Sequence, residues 1–216
     1  MRMPTVDKEA GSSAQTELRR RIVERAGVRF LRHGYSAFAM SALAADLGVS
    51  KKTLYVHFAS KDVIIRTVID KFATSIRAEA ESILAQAGPT FVEKLRSFAE
   101  HMITRLGRFP PAVLSDLQRM APQLYRHLQR VRRGNIAHIF SRFIEAGHRA
   151  GVVRTGISSE FAGEFFVYAM QGMLDGETLQ RMKLTTAGAF EGAIRIFFGG
   201  LLTPAGQKEY EKSFPH

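Results

Sequence analysis

A short cationic segment over residues 50–58 carries side chains that could recognise a polyanion. On a helix that begins at Lys51, Leu54 and Phe58 lie one turn apart and face a protein core. The other positions are left for solvent or a ligand: Lys51, Lys52, Thr53, Tyr55 and His57. Two lysines in a first turn oppose the helix dipole, and that cost is offset if their charges meet phosphates or base edges. The pattern therefore favours a nucleic-acid-binding helix, with a solvated lysine pair as the alternative interpretation.

Two predicted helices precede this segment. Apolar side chains recur every four residues from Leu18 to Phe30, which predicts an amphipathic helix that starts near Thr16 and ends at Gly34. The opposite face of that helix is rich in arginine. A short helix is predicted to follow over residues 40–47.

The junction between the second and third helices has the spacing of a helix-turn-helix. Ala44 lies four residues before Gly48, and Leu54 lies six residues after it. A small residue lets two helices approach, a glycine adopts positive φ readily, and an aliphatic residue packs the second helix on the first. In a helix-turn-helix, the helix that follows the turn lies in the major groove of DNA.

A long ordered motif surrounds this junction and reads LAADLGVSKKTLYVHFASK over residues 43–61. With Gly34-Tyr35 ahead of it, the segment closely resembles the N-terminal domain of the tetracycline-repressor (TetR) family of bacterial regulators. The resemblance covers about residues 16–65. It implies that Lys51, Thr53, Tyr55 and His57 lie at the groove. It also implies that Tyr55, His57 and Lys61 mainly contact phosphates.

The sequence departs from the family pattern at two places. The family commonly has hydroxyl side chains just before the second helix, where this chain has Phe38-Ala39-Met40, so Ser41 is the first hydroxyl. The family also often has glycine where this chain has Lys52. The complete set of predicted DNA contacts is Ser41, Ser50, Lys51, Lys52, Thr53, Tyr55, His57 and Lys61.

Composition excludes several classes of site. The chain has 216 residues and no cysteine, which rules out disulfides, thiolate metal sites and cysteine nucleophiles. Glu160 and Glu164 lie one turn apart but have no partnering histidine, so we predict no catalytic residue, no metal ion and no cofactor. The formal net charge of +11 favours a polyanionic partner. The polar N-terminus and the lack of a long apolar run predict a cytoplasmic protein without a membrane partner.

Helical periodicity continues to about residue 202, and no credible strand interrupts it. We therefore predict an all-α fold of about nine helices, with a three-helix N-terminal head and a helical C-terminal domain. The predicted divisions are a disordered arm at 1–15, a DNA-binding domain at 16–62, and an effector-binding and dimerisation domain at 63–216. Single helices are expected over about 158–182 and 186–202.

The C-terminal domain carries more apolar positions than one core-facing stripe requires. The predicted dimer interface comprises Phe165, Met173, Phe190, Ile194, Phe197 and Leu201. Sixteen Phe and eight Met without Trp suggest an adaptable apolar pocket, although an ordinary core explains any single one of them. The predicted ligand-binding residues are Phe72, Phe98, Met102, Met120, Tyr125, Phe140, Phe166 and Met170. An arginine-rich stretch over residues 126–154 is either a solvated helix face or an anion site.

These observations, with the resemblance, predict a ligand-responsive transcriptional regulator. It would bind a palindromic operator on double-stranded DNA as a homodimer, act as a repressor, and be released by a small apolar effector. One alternative is a sequence-indifferent DNA-compacting protein. Another is a helical protein that binds a small molecule or lipid and has a vestigial head.

Overall fold

A computed structural model describes the backbone of residues 6–213 and the side chains of residues 13–213. Over this range the chain forms helices and one isolated antiparallel bridge between Val153 and Leu202. The helices are α1 Val6–His33, α2 Met40–Leu47, α3 Lys51–His57, α4 Lys61–Ala85, α5 Phe91–Leu106, α6 Pro111–Met120, α7 Pro122–Arg149, α8 Ser159–Met173, α9 Gly176–Met182, α10 Thr186–Leu201 and α11 Pro204–Ser213. The all-helical prediction is confirmed. None of the described helices is both long and apolar enough to cross a lipid bilayer.

The prediction of about nine helices is wrong, since the described residues form eleven. The expected helix at 158–182 breaks at Asp175, whose carboxylate accepts hydrogen bonds from the backbone of Glu177 and Thr178 and starts α9 afresh. A further helix, α11, begins at Pro204, a residue suited to a first helical position. Both differences have one cause: periodicity alone does not mark a helix start that lies within or directly after an apolar run.

Helix α1 begins at Val6, ten residues before the expected start. The prediction of a disordered arm is therefore wrong for residues 6–15, and residues 1–5 lie outside the described part of the chain. The early segment lacks an apolar stripe, but its Lys8, Glu9, Ala10, Ala14 and Gln15 favour a helix, and α1 continues through it without a break. Periodicity marks a buried face and so misses a helical extension without one.

The buried residues form two clusters that share α4. The first belongs to the head and includes Ile64, Ile65 and Ile69 of α4 with residues of α1–α3. It also takes up Val113 and Leu117 of α6. The second cluster continues along α4 at Ile76, Ala80 and Ile83 and is completed mainly by α5, α7, α8 and α10. Helix α4 thus runs without a break from the head into the rest of the chain. Helix α6 packs directly on the head.

Candidate nucleic-acid interface

Helix α3 begins where its local sequence predicts. Ser50 is in an extended conformation, and its Oγ accepts a hydrogen bond from the Thr53 backbone N–H at 3.0 Å. The two hydroxyl oxygens, Ser50 Oγ and Thr53 Oγ1, are 2.8 Å apart. At the other end, the N–H of Phe58 donates to the Leu54 carbonyl at 3.0 Å. The serine cap therefore fixes the residue at which the cationic face begins.

The turn before α3 requires glycine. Gly48 has φ 66°, in the left-handed region, and ends α2. The N–H of Val49 then donates to the Ala44 carbonyl at 3.0 Å. Ala44 and Leu54 are buried, as the spacing predicts for two helices that cross closely. The helix-turn-helix geometry is confirmed in the described residues.

One side of α3 is anchored in the head and the other faces solvent. Leu54 and Phe58 are buried, whereas Tyr55 is 50% exposed. Lys51 and Lys52 are exposed, and neither forms an ion pair within the part of the chain that the structure describes. Thr53 and His57 are half-buried at the edges of this surface. We call the solvent side of α3, residues 51, 52, 53, 55 and 57, the cationic face.

The two predicted contacts outside α3 have different environments. Ser41 is exposed in the first turn of α2, which starts without a side-chain cap because Ala39 precedes it. Lys61 opens α4, and its Nζ lies 3.8 Å from the centroid of the Tyr35 ring. Burial lowers the pKa of Lys61, against the opposing charge of Asp62. Lys61 is therefore held against the head rather than extended into solvent.

Arg19, which the sequence pattern assigned only to a cationic helix face, clamps the end of α3. Its Nη1 donates to the His57 carbonyl at 2.8 Å, and its guanidinium lies 4.2 Å from the Phe58 ring centroid. A cation at a helix C-terminus satisfies an otherwise unpaired carbonyl and complements the dipole. No signal in the sequence could reveal this contact, because it joins residues 38 positions apart.

Two further arginines fasten α1 to α2. Arg29 donates to Asp46 at 2.7 Å and Arg25 donates to the same oxygen at 3.1 Å. The hydrogen bond from Arg29 is the main reason why the pKa of Asp46 lies below its usual range. These contacts fix the orientation of α2 and, through the Gly48 turn, of α3.

Helix α6 contacts the turn between α1 and α2. The Asp116 carboxylate accepts a hydrogen bond from the Ser36 backbone N–H at 2.9 Å. Although burial opposes ionisation, the hydrogen bonds from Ser36 and from the Tyr35 backbone keep the pKa of Asp116 below its usual value. Gly34, at φ 74°, lies so close that a Cβ there would be 2.6 Å from the Asp116 carboxylate. We call the hydrogen bond between Asp116 and Ser36 the Asp116 clasp. It joins the head to the helical domain in addition to the connection through α4.

A cavity of about 100 Å³ lies between α4, α5, α7, α8 and α10. Five predicted ligand-binding residues line it: Phe72, Phe98, Met102, Phe140 and Met170. The other three do not. Phe166 stacks behind Phe140 with ring centroids 3.7 Å apart, Tyr125 directs its hydroxyl to Asp175, and Met120 is 51% exposed near the head. The predicted ligand-binding set lacked two polar lining residues, Arg132 and Asn135. Arg132 belongs to the arginine-rich stretch for which an anion site was the alternative interpretation.

Most residues of the predicted dimer interface pack inside the core of the single chain. Four of the six are buried in its own core, because α10 packs against α5 and α8: Phe190, Ile194, Phe197 and Leu201. Met173 is half-buried against the same core. Phe165 alone of this set is largely exposed, at 59%. The prediction is therefore wrong for the four buried side chains, since periodicity identifies an apolar face but not what covers it.

Exposed apolar side chains on α8 and α10 form a separate surface, which we call the apolar face. Phe161, Phe165 and Tyr168 follow one another at helical spacing on α8. On α10, Ile196 is 80% exposed and Gly200 leaves open space beside it. The sequence indicated this surface, because these two helices have more apolar positions than one core-facing stripe requires.

Two arginines of the 126–154 stretch form ion pairs with glutamates. Arg133 forms an ion pair with Glu164 at 2.8 Å, and Arg142 forms ion pairs with Glu81 and Glu145. These pairs support the interpretation of a solvated helix face for that part of the stretch. Arg132 is the exception, because it faces the cavity.

Comparison with known proteins places the head in one family. Residues 22–68 match the sequence profile of bacterial regulatory proteins of the tetR family. The chain is 24% identical over 168 residues to the HTH-type transcriptional repressor DhaR of Mycobacterium sp. (strain GP1), an alignment that covers 74% of this chain and 82% of DhaR. Its fold is similar to that of SmeT, the repressor of the Stenotrophomonas maltophilia multidrug efflux pump SmeDEF. That match has a TM-score of 0.65 and 17% identity and covers 87% of this chain and 92% of SmeT.

A SmeT–triclosan complex is also similar, with a TM-score of 0.64 and 16% identity over 87% of this chain and 93% of SmeT. At these identities the structural likeness concerns the fold alone. The family-profile match covers the last 12 residues of α1, all of α2 and α3, and the first eight residues of α4. The geometry of the Gly48 turn and the anchored α3 agrees with that match. The chain therefore carries the N-terminal domain of the tetR family of bacterial regulatory proteins.

Proposed function

We propose that the chain is a transcriptional repressor that binds a near-palindromic operator as a homodimer and is released by a small molecule. The observation that carries the proposal is the cationic face of α3. Lys51, Lys52 and Tyr55 point away from a buried anchor made by Leu54 and Phe58. Exposed cations without ion-pair partners among the described residues suit phosphates and the acceptor atoms of base edges. The division into a DNA-binding part at 16–62 and an effector and dimerisation part at 63–216 belongs to this proposal.

Dimerisation follows from the small number of base pairs that one head can contact. A single recognition helix contacts only a few base pairs, so a specific site needs two heads about 34 Å apart on successive major grooves. The apolar face of α8 and α10 is a suitable self-complementary surface for a two-fold pair. Its rings and Ile196 are exposed in the single chain, and Gly200 would let two helices approach closely. In this arrangement α8 and α10 of two copies form a four-helix interface.

Release follows from the two connections between the cavity and the head. Lys61 opens α4, and Phe72 of the same helix lines the cavity about 16 Å further along its axis. A molecule that enters the cavity displaces α4 relative to α7 and so changes the separation of the two heads. Leu114 of α6 belongs to the same buried cluster as the cavity wall, so the Asp116 clasp of that helix transmits the displacement to the turn before α2. A coupling free energy of about 1–3 kcal/mol changes the operator affinity by about 5- to 150-fold.

The first experiment is footprinting on the DNA that flanks the chain's own coding region. The proposal expects one or a few short protected sites with two-fold symmetry. Uniform protection would instead support a DNA-compacting protein. If each dimer neutralises about 8 phosphates, the logarithm of the binding constant falls with a slope of about −7 against the logarithm of salt concentration.

The second experiment removes the cationic face without disturbing its anchor. The double variant Lys51→Ala plus Tyr55→Ala should retain the fold and lose operator binding, because both side chains are exposed. Lys208→Ala plus Lys212→Ala removes two exposed positive charges from α11, outside the cationic face and the apolar face, and should retain operator binding. Unchanged operator binding by the first variant would support a vestigial head and refute the proposal.

A further inference from the structure

The cavity in the helical domain is almost entirely apolar. Aromatic and aliphatic side chains from α4, α5, α7, α8 and α10 form its wall, among them Phe72, Ile76, Phe98, Met102, Phe140 and Met170. Two lining residues of α7 are polar, Arg132 and Asn135. The Asn135 Nδ2 is occupied, since it donates to the Ala73 carbonyl of α4 at 2.7 Å. An apolar cavity with one or two polar groups is typical of a small-molecule site, in which those groups fix the orientation of the ligand.

Arg132 is the polar lining residue whose hydrogen bonds are incomplete. Its Nε is fully buried and has no hydrogen-bond partner within the described residues. Its Nη2 donates to Gln129 Oε1, and its Nη1 reaches the Leu174 carbonyl only at 3.5 Å. Burial lowers the pKa of Arg132, while Tyr125 and Asp175 oppose this shift. No carboxylate of the described chain lies within ion-pair distance of it, whereas Arg133 and Arg142 of the same helix form ion pairs with Glu164 and Glu81.

A guanidinium whose Nε is buried and which has no direct ion-pair partner is costly, and arginine does not lose its proton to avoid that cost. The charge therefore needs an anion, and the cavity beside it is apolar. The Nε and Nη2 atoms of arginine form a planar edge that matches the two oxygens of a carboxylate. A lone phosphate or sulfate would satisfy the charge but would leave the apolar wall unfilled.

We propose that the cavity binds a small amphipathic monocarboxylate, whose carboxylate accepts hydrogen bonds from Arg132 and whose alkyl or aryl body fills the apolar wall. The inference rests on the proposed function, because it names the chemical class of the releasing molecule. It gives α7 a direct role: the ligand's charge is held by Arg132 while its body lies against Phe72 and Ile76 of α4. Binding thus connects the two helices whose relative position sets the separation of the heads.

The test compares carboxylates with neutral molecules of the same shape. Calorimetric titration of the full-length protein uses straight-chain alkanoates of four to twelve carbons, phenylalkanoates, and the matching primary amides. We expect at least one carboxylate to bind about tenfold or more tightly than its amide, which is the effect of one charge-assisted hydrogen bond. Equal affinity of every acid and its amide, or no binding by the whole panel at millimolar concentration, would overturn the inference.

Two variants assign the preference to Arg132. Arg132→Gln should remove the preference for acid over amide, so that both bind with similar affinity. Arg130→Gln is the matched control, because Arg130 is exposed on the same helix and does not line the cavity. It should retain the wild-type preference. Retention of the preference by Arg132→Gln would refute the role of this side chain.

Folding and operator binding separate this inference from the proposed function. Arg132→Met replaces an unpaired buried charge by an apolar side chain of similar length, and its thermal midpoint should equal or exceed that of the wild type. This variant should still protect the operator but should no longer release it when the acid is added. Failure of the wild type to protect any operator would contradict the proposed function itself. Intact protection with no acid preference would overturn the carboxylate inference alone.

Discussion

Replacing Arg19 by glutamine tests how the tertiary structure holds α3 in place. The change removes the hydrogen bond from Nη1 to the His57 carbonyl and the guanidinium over the Phe58 ring. Glutamine keeps a polar side chain of moderate length on an exposed position of α1. Because α3 has only seven residues, its last turn depends strongly on contacts from outside the helix.

The expected loss can be worked from these two contacts. A hydrogen bond from a charged donor contributes about 1.5–3 kcal/mol in favourable sites, and an exposed cation over a ring contributes about 0.5–1 kcal/mol. Since Arg19 is exposed, solvent screening and side-chain entropy reduce both contributions, and about 1–1.5 kcal/mol remains. That free energy corresponds to opening of the last turn of α3 about five to ten times more often.

Native-state hydrogen exchange measures this opening directly. The reporter is the Phe58 amide, which donates to the Leu54 carbonyl at 3.0 Å and should exchange about five to ten times faster in Arg19→Gln. Arg20→Gln is the matched control, because Arg20 lies next to Arg19 but pairs only with Glu17 and Glu24 of its own helix. Equal exchange rates of the Phe58 amide in the two variants would refute the clamp.

Three further predictions concern the head and its clasp. Leu54→Ala should lower the free energy of unfolding of the head by about 2–5 kcal/mol because it leaves a cavity under α3, whereas Tyr55→Ala should change it little; chemical denaturation of both variants distinguishes them. Gly34→Ala should be destabilising by more than about 1 kcal/mol, since it strains a positive φ and meets Asp116, and a thermal midpoint equal to that of the wild type would contradict this. Because the pKa of Asp116 is lower in the folded chain, its contribution is present above the ordinary pKa of 3.8 and is lost as pH falls through the folded-state value. Asp116→Asn should therefore flatten the acid limb of the stability–pH curve, and an unchanged acid limb would show that the clasp contributes nothing.

Local signals in the sequence were sufficient to predict α2 and α3 of the head. The Ser50 cap, the glycine at 48 and the small residue at 44 predicted the bounds of α2 and α3 and the buried side of α3. These features act between residues a few positions apart, through backbone conformation and hydrogen bonds that need no distant partner. The capping box of Thr90 and Glu93, which starts α5, is a signal of the same local kind. The role of the cationic face on DNA stays a prediction.

The sequence was less informative where a helix had more than one apolar side. On α10, Ile194 and Phe197 face the core while Ile196 faces solvent, and all three are apolar. Periodicity could not say which of them would be left for a second copy. The same ambiguity placed Met120 and Phe166 in the ligand-binding set, although one is exposed and the other lies behind the cavity wall.

The sequence by itself determined the helical class, the helix-turn-helix and the side chains that α3 presents to solvent. Only the tertiary structure decided which groups hold that helix and which charge is left unpaired. Arg19 meets His57 across 38 residues, and Asp116 meets Ser36 across 80 residues. Arg132 resembles its neighbours in the sequence, yet packing turns it alone into an apolar cavity. The reason is that a helix sets the direction of each side chain locally, whereas the partner in that direction is supplied by whichever distant helix packs there.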